Sequence, residues 1–178
     1  MGYVFTDTDT VFGTFRNMAE RWPARLFLNV LPETAAAYGI AAGETTYGHS
    51  LSDVKRLRVA YEVAGYRAGG RVMLLLESRP GFFQHWFALN ALGLSVVPVN
   101  PDLKATELGF IAGHAQPCLA VAARSDIEDL QQASCESGVN FPVIASDGPL
   151  PAPASWEPMM DLSVGPLQRE FAMRFTSG

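Results

Sequence analysis

Hydrophobic residues recur along this chain in two rhythms, and the places where one gives way to the other outline its elements. In residues 11–22, Phe12, Phe15, Met18, Ala19 and Trp22 fall three and four apart, which is one stripe of a helix that Pro23 stops. Residues 26–31 read as a short strand, 34–44 are small and Ala-rich without a clear period, and 45–47 read as a further short strand. A better-marked helix is expected from Ser50. Ser50 with Asp53 three residues on spells a capping box, in which hydroxyl and carboxylate satisfy the free N–H groups of a first turn. Leu51, Val54, Leu57, Tyr61 and Ala64 make its buried stripe, and Gly65 supplies the stop. Gly69-Gly70 then turns the chain into Val72-Met73-Leu74-Leu75-Leu76, apolar without alternation, as a strand covered on both faces requires.

The same unit repeats. Pro80 suits the first turn of a helix running through Phe82, Phe83, Trp86, Phe87, Leu89 and Ala91 to Gly93. Residues 94–99 are the next strand, 107–112 a short helix and 118–123 another strand. Ser125 with Glu128 spells a second capping box, opening a helix that Gly138 closes, and 141–145 is a further strand. Strands alternating with helices predict an α/β fold with a mostly parallel sheet and right-handed crossovers. Residues 1–146 form this α/β subdomain. Residues 147–170 are an irregular connection, since five of the twelve prolines fall between Asp147 and Pro166 without an apolar period. Residues 171–178 form a strand, with Phe171, Met173 and Phe175 on one face, that delivers the chain to Thr176-Ser177-Gly178. The apolar face of that strand is expected to be under-covered, inviting self-association through an exposed edge.

Composition narrows the function. With 48% hydrophobic and 17% charged residues the chain is globular. A net charge of -5 argues against nucleic-acid binding, which needs a basic face. The first residues carry Asp7 and Asp9 and no apolar block, unlike a signal peptide, and no apolar run is long enough to span a bilayer. Cys118 and Cys135 stand far apart in no metal-binding or redox pattern, so free thiols and a cytoplasmic location are expected. His49, His85 and His114 have no metal-ligand spacing and read as surface or satisfied core histidines. The aromatic stripe Phe82, Phe83, Trp86 and Phe87 reads as core packing. Residues 65–71 have a spacing like a phosphate loop, but Arg71 and Val72 replace the Lys and Ser/Thr, and the order of elements is reversed.

Small hydroxyl and glycine residues after a strand let backbone N–H groups converge on phosphate, although a lone Thr-Ser-Gly is most often a turn. Here the preceding segments add weight. Thr46-Tyr47 with the following helix, the glycine turn Gly65-Tyr66-Arg67-Ala68-Gly69-Gly70-Arg71-Val72, and Leu89-Asn90-Ala91-Leu92-Gly93-Leu94-Ser95-Val96-Val97-Pro98-Val99-Asn100-Pro101 resemble, in order, motifs of the adenylate-forming superfamily. Phe175-Thr176-Ser177-Gly178 resembles the opening of its phosphate loop. Gly70, and Ser78-Arg79-Pro80-Gly81, depart from the family pattern, both in turns.

The resemblance implies the N-terminal portion of an AMP-forming acyl-CoA synthetase. Such an enzyme uses ATP and Mg2+ to convert a carboxylic acid to an acyl-adenylate, then passes the acyl group to coenzyme A. It implies that Thr176, Ser177 and Gly178 begin the ATP phosphate loop, that no catalytic residue and no metal ligand lies in these residues, and that a C-terminal remainder carries the catalytic lysine and nucleotide contacts. The chain alone is then expected to be inactive. An adenylation domain that loads a carrier protein and a non-catalytic α/β interaction module stay open as alternatives.

Overall fold

The computed structural model describes residues 10–153 and 172–173. Thr10 opens the first helix by accepting the Gly13 N–H on its hydroxyl at 3.0 Å, and α1 (Val11–Arg21) buries Phe15 and Ala19. β1 (Leu26–Val30), α2 (Pro32–Tyr38) and β2 (Gly43–Thr46) come next, with the two strands paired antiparallel. The helix α2 resolves the segment that shows no period in the sequence: Pro32 stands in its first turn and Gly39, left-handed at φ 62°, ends it.

α3 (Tyr47–Ala64) begins before the expected Ser50. Thr46 leaves β2 with extended backbone and so takes the cap itself, its hydroxyl accepting the His49 N–H at 3.2 Å. The Ser50–Asp53 capping box is therefore corrected. Ser50 is buried in the first turn, and Asp53 instead accepts from Arg56 and, across to the next helix, from Gln84, both at 2.9 Å. The stripe Leu51, Val54 and Tyr61 is buried as expected, and Gly65 closes the helix at φ 101°.

The rest of the chain builds one parallel sheet: β3 (Arg71–Leu75), α4 (Pro80–Ala91), β4 (Ser95–Pro98), α5 (Ala105–Ala115), β5 (Leu119–Ala122), α6 (Ile127–Ser137) and β6 (Val143–Ala145). The four strands lie in the order β4-β3-β5-β6. Before α6 the chain makes a 3-10 turn, Arg124–Asp126, in which Asp126 N–H donates to Ala123 O at 3.0 Å. That turn absorbs Ser125, so the second expected capping box does not form, and Asp126 at the head of α6 makes no side-chain cap bond.

Alternate residues of the central strands feed two apolar layers. Val72, Leu74 and Leu76, with Val96, Leu119 and Val121, pack against α1, α3 and α4 through Phe15, Tyr61, Ala88 and Leu89. Met73, Leu75 and Val97 face the other way, onto Leu108 and Ile111 of α5 and Leu130 of α6. Covered on both sides, β3 has no polar face to show, which is why its sequence does not alternate. Phe82, Trp86 and Phe87 pack at the margin of the first layer, in keeping with a core role.

No helix or strand forms in residues 147–153, but the segment is held down: Leu150 packs on the first layer and Pro153 lies beside Gly65. Ala172 forms a parallel bridge to Val96 at the free edge of β4, and Met173 donates its N–H to Val96 O at 2.8 Å. Met173 is partly buried against the second layer, whereas Phe171 and Phe175 lie outside the described residues. Among the described residues no helix is long and apolar enough to cross a membrane.

Candidate functional site

In a parallel α/β sheet ligands gather at the carboxyl ends of the strands, where consecutive connections leave in opposite directions. Here that point lies between β3 and β5. The chain leaves β3 through α4 on the first layer to reach β4, then returns through α5 on the second layer to β5. The carboxyl-end turns of β3 and β5 are Glu77-Ser78-Arg79 and Ala123-Arg124-Ser125-Asp126.

Both turns carry charge. Glu77 and Arg79 form an ion pair, each about four-fifths or more withdrawn from water, with side chains 21% and 14% exposed. Arg79 N–H also donates to Glu77 O at 2.6 Å, and its guanidinium carbon lies 5.8 Å from the centre of the Tyr38 ring. Its buried Nε has no hydrogen-bond partner among the described residues. Arg124 grips the Asp147 carboxylate at 2.9 and 2.8 Å and holds its pKa below the usual carboxylate value. A cavity of about 360 Å³ opens beside the first of these turns, between the amino end of α4 (Arg79, Pro80, Gly81), Ser146 and the start of β2 with Glu44 and Thr45.

At the outer side of the same edge, β4 ends in Asn100-Pro101-Asp102. The Asn100 Oδ1 accepts from Asp102 N–H at 3.1 Å and its carbonyl from Leu103 N–H at 3.2 Å, so the motif Asn-Pro serves as a turn. The bridge at Ala172 is parallel, so the last described residues point toward this edge too. Thr176, Ser177 and Gly178, the residues singled out as a phosphate loop, lie outside the described residues.

The histidines are dispersed, as their spacing implied. His49 is an exposed partner of Asp53, and His114 bonds the Phe110 carbonyl one turn back. His85 is the exception in kind, because it is buried and bonded on both ring nitrogens, to Tyr61 Oη at 2.7 Å and Ser146 O at 2.9 Å. Spacing alone places it among satisfied histidines without disclosing those partners. The available signal is its place on the stripe with Ala88 and Leu89 in α4. Cys118 is buried with its thiol pushed up to about 12, chiefly by burial, and Cys135 is exposed; both are free. Among the described residues no group of three or more His, Cys, Asp or Glu could hold a metal ion.

The sequence model of a family described as AMP-binding enzyme matches residues 16–178. A crotonobetaine/carnitine–CoA ligase of Escherichia coli is 31% identical over 101 residues, 56% of this chain and 20% of that protein. Two solved structures share the fold. A Mycobacterium tuberculosis fatty acyl CoA synthetase superposes with a TM-score of 0.64 at 22% identity, over 76% of this chain and 26% of that one. VinN in complex with L-aspartate does so with a TM-score of 0.67 at 18% identity, over 79% of this chain and 33% of that one. The chain thus spans a fifth of the length of the ligases it matches and about a quarter to a third of these solved structures.

Proposed function

The chain belongs to the AMP-binding enzyme family, and we propose on that footing that the whole protein is an AMP-forming carboxylic acid–CoA ligase. In the first step a carboxylate oxygen bonds to the α-phosphorus of ATP while the bond to the bridging oxygen of pyrophosphate breaks. In the second, the sulfur of coenzyme A bonds to the acyl carbon and AMP leaves. The demand of the first step is electrostatic, because negative charge accumulates on the departing phosphates and must be met by fixed donors and Mg2+. Thr176, Ser177 and Gly178 would open the loop that supplies those donors, and 171–175 would be the strand that aims it. The observation that carries the reading is the family match over residues 16–178, together with the similarity to a CoA ligase.

The bridge of Ala172 to β4 supports this placement, since a strand added there in parallel would carry its next loop to the carboxyl edge. The division into 1–146, 147–170 and 171–178 and a cytoplasmic location belong to the same reading. The acid is not named by it: the three similar proteins carry different ones by name, crotonobetaine or carnitine, a fatty acyl group, and L-aspartate.

ATP–pyrophosphate exchange is the test. The 178-residue chain, whose match covers a fifth of those ligases, is expected to show background exchange with every acid offered. The whole protein is expected to exchange with one acid class and to form an acyl-CoA when CoA is added. Exchange by the short chain above a boiled control would refute its inactivity. Transfer to a carrier protein instead of CoA would make the whole protein a carrier-loading adenylation enzyme, and no exchange by the whole protein would reject the ligase reading.

A further inference from the structure

The corner where α1 gives way to β1 gathers two cations on one ring. The guanidinium carbons of Arg21 and Arg25 lie 4.6 and 4.8 Å from the centre of the Trp22 indole. Each contact is attractive alone, because the face of the ring is the negative pole of its quadrupole. Together they hold two like charges near one another, and neither has a carboxylate partner among the described residues. The end of α1 accounts for Arg21, which sits in its last turn, where the helix dipole favours a cation. Arg25 lies beyond the helix and gains little from it. An anion set against both guanidiniums would relieve their repulsion.

The corner is held rigid by its backbone. Trp22 N–H donates to Met18 O at 2.9 Å and Arg25 N–H to Trp22 O at 3.1 Å. From the head of α3, the Tyr47 and Gly48 N–H groups donate to Arg25 O and Pro23 O, each at 2.9 Å. Five of the six residues 21–26 are exposed, with Trp22 half-buried, and Leu26 is 49% exposed. So exposed a corner meets a flat partner, whereas an extended peptide needs a groove or a free strand edge.

We propose that Arg21, Trp22, Arg25 and Leu26 form a docking corner for an anionic lipid surface. The two guanidiniums take headgroup phosphates, while the indole edge and Leu26 enter the interfacial layer, where Trp is favoured. The inference stands apart from the ligase reading. The net charge of -5 does not forbid it, because at physiological salt a charged surface is felt over about 8 Å and only the groups at the corner count. Of these, Asp53 is 14% exposed and engaged by Arg56 and Gln84, and exposed Glu20 is offset by exposed Arg16 one turn before it on α1. With each arginine worth about fivefold in attachment, the docking is weak and sensitive to salt.

Flotation of the whole protein with vesicles tests the corner. Vesicles of phosphatidylcholine with about 30% phosphatidylserine should carry the protein at about 0.05 M salt and release it at about 0.5 M, and pure phosphatidylcholine vesicles should not carry it. Arg21→Gln with Arg25→Gln is expected to lower the bound-to-free ratio about 25-fold, whereas Arg21→Lys with Arg25→Lys keeps the charge and stays within about threefold. Arg58→Gln with Arg124→Gln, at other exposed positions, removes the same charge and should change the ratio less than about twofold. Circular dichroism checks the fold of each pair. Should the first glutamine pair unfold, Arg25→Gln alone, expected at about fivefold, takes its place. No flotation with the anionic vesicles, equal flotation with the neutral ones, or the same loss in both glutamine pairs would overturn the proposal. So would capture of a hexaglutamate peptide without vesicle binding, which assigns the corner to an acidic protein segment.

Discussion

Replacing Leu75 with alanine removes a side chain from the middle of the second apolar layer, where Leu75 is 1% exposed. It lies on the central strand, opposite Ala122 of β5, and shares its layer with Val97, Leu108, Ile111 and Leu130. Ala122 and Ala120 are too small to fill the gap, and β3 is fixed by ladders on both edges, so the strand cannot sag into it. Poor relaxation places the loss in the upper part of the range for such truncations, about 3–5 kcal/mol. For a chain of this length that is on the order of 10 °C in melting temperature.

Urea unfolding followed by circular dichroism should show a lower midpoint with an unchanged slope, because the native surface is otherwise the same. Val63→Ala, at a position 83% exposed on α3, is the control and should stay within about 0.5 kcal/mol of the parent. A loss below about 1 kcal/mol for Leu75→Ala would refute the placement of β3 between two helical layers.

Gly93→Ala should destabilise by about 1–3 kcal/mol, since φ is +76° and a Cβ there would stand 2.9 Å from the Ala68 Cβ; Gly39→Ala, at φ +62° with nothing within 4 Å, should cost less. Iodoacetamide should label Cys135 in the native chain and reach Cys118 only after unfolding, a pattern mass spectrometry reads directly; native labelling of Cys118 would contradict its burial.

The features legible in the sequence and those hidden from it divide along the range of the interactions involved. Leu74 and Leu75 announce a doubly covered strand because burial on both faces leaves no polar position in the run. Gly65 and Gly138 announce helix ends because the left-handed conformation they adopt is one glycine takes without strain. The two capping boxes mislead for a different reason. Ser50 and Ser125 have the right neighbours, but Thr46 begins its helix directly from a strand and Arg124–Asp126 begins the other with a 3-10 turn. Both decisions are made by the backbone geometry of the preceding element. His85 is legible as an inward-facing residue and no further, since Ser146 is 61 residues away and only the fold brings the two together. Thr176 to Gly178 are readable as chemistry through resemblance alone, and they lie beyond the described residues.

The two ends of the sheet divide the work of the fold between them. At the amino ends of the strands the chain solves a problem of conformation. Gly69 and Gly93 sit at positive φ with Gly69 N–H bonded to Gly93 O at 3.1 Å, Gln116 takes φ 50°, and Arg71 is buried with its guanidinium on the Ala115 carbonyl at 3.2 Å. Those residues close turns tightly, and a cavity of about 350 Å³ opens beside them among Glu62, Gly65, Tyr66, Arg67 and Leu92. At the carboxyl ends lie Glu77, Arg79, Arg124, Asp147 and the Asn100 turn, with a cavity at the head of α4. Charge placed there needs partners that the turns only partly supply, as the unpartnered Arg79 Nε illustrates among the described residues. Parallel strands aim all of their following loops to the same side, so a further strand entering beside Val96 can only bring its own loop to that edge. Charged turns gathered at the carboxyl end, away from the apolar layers on either face, let chemistry be assembled from several loops without disturbing the core that holds them.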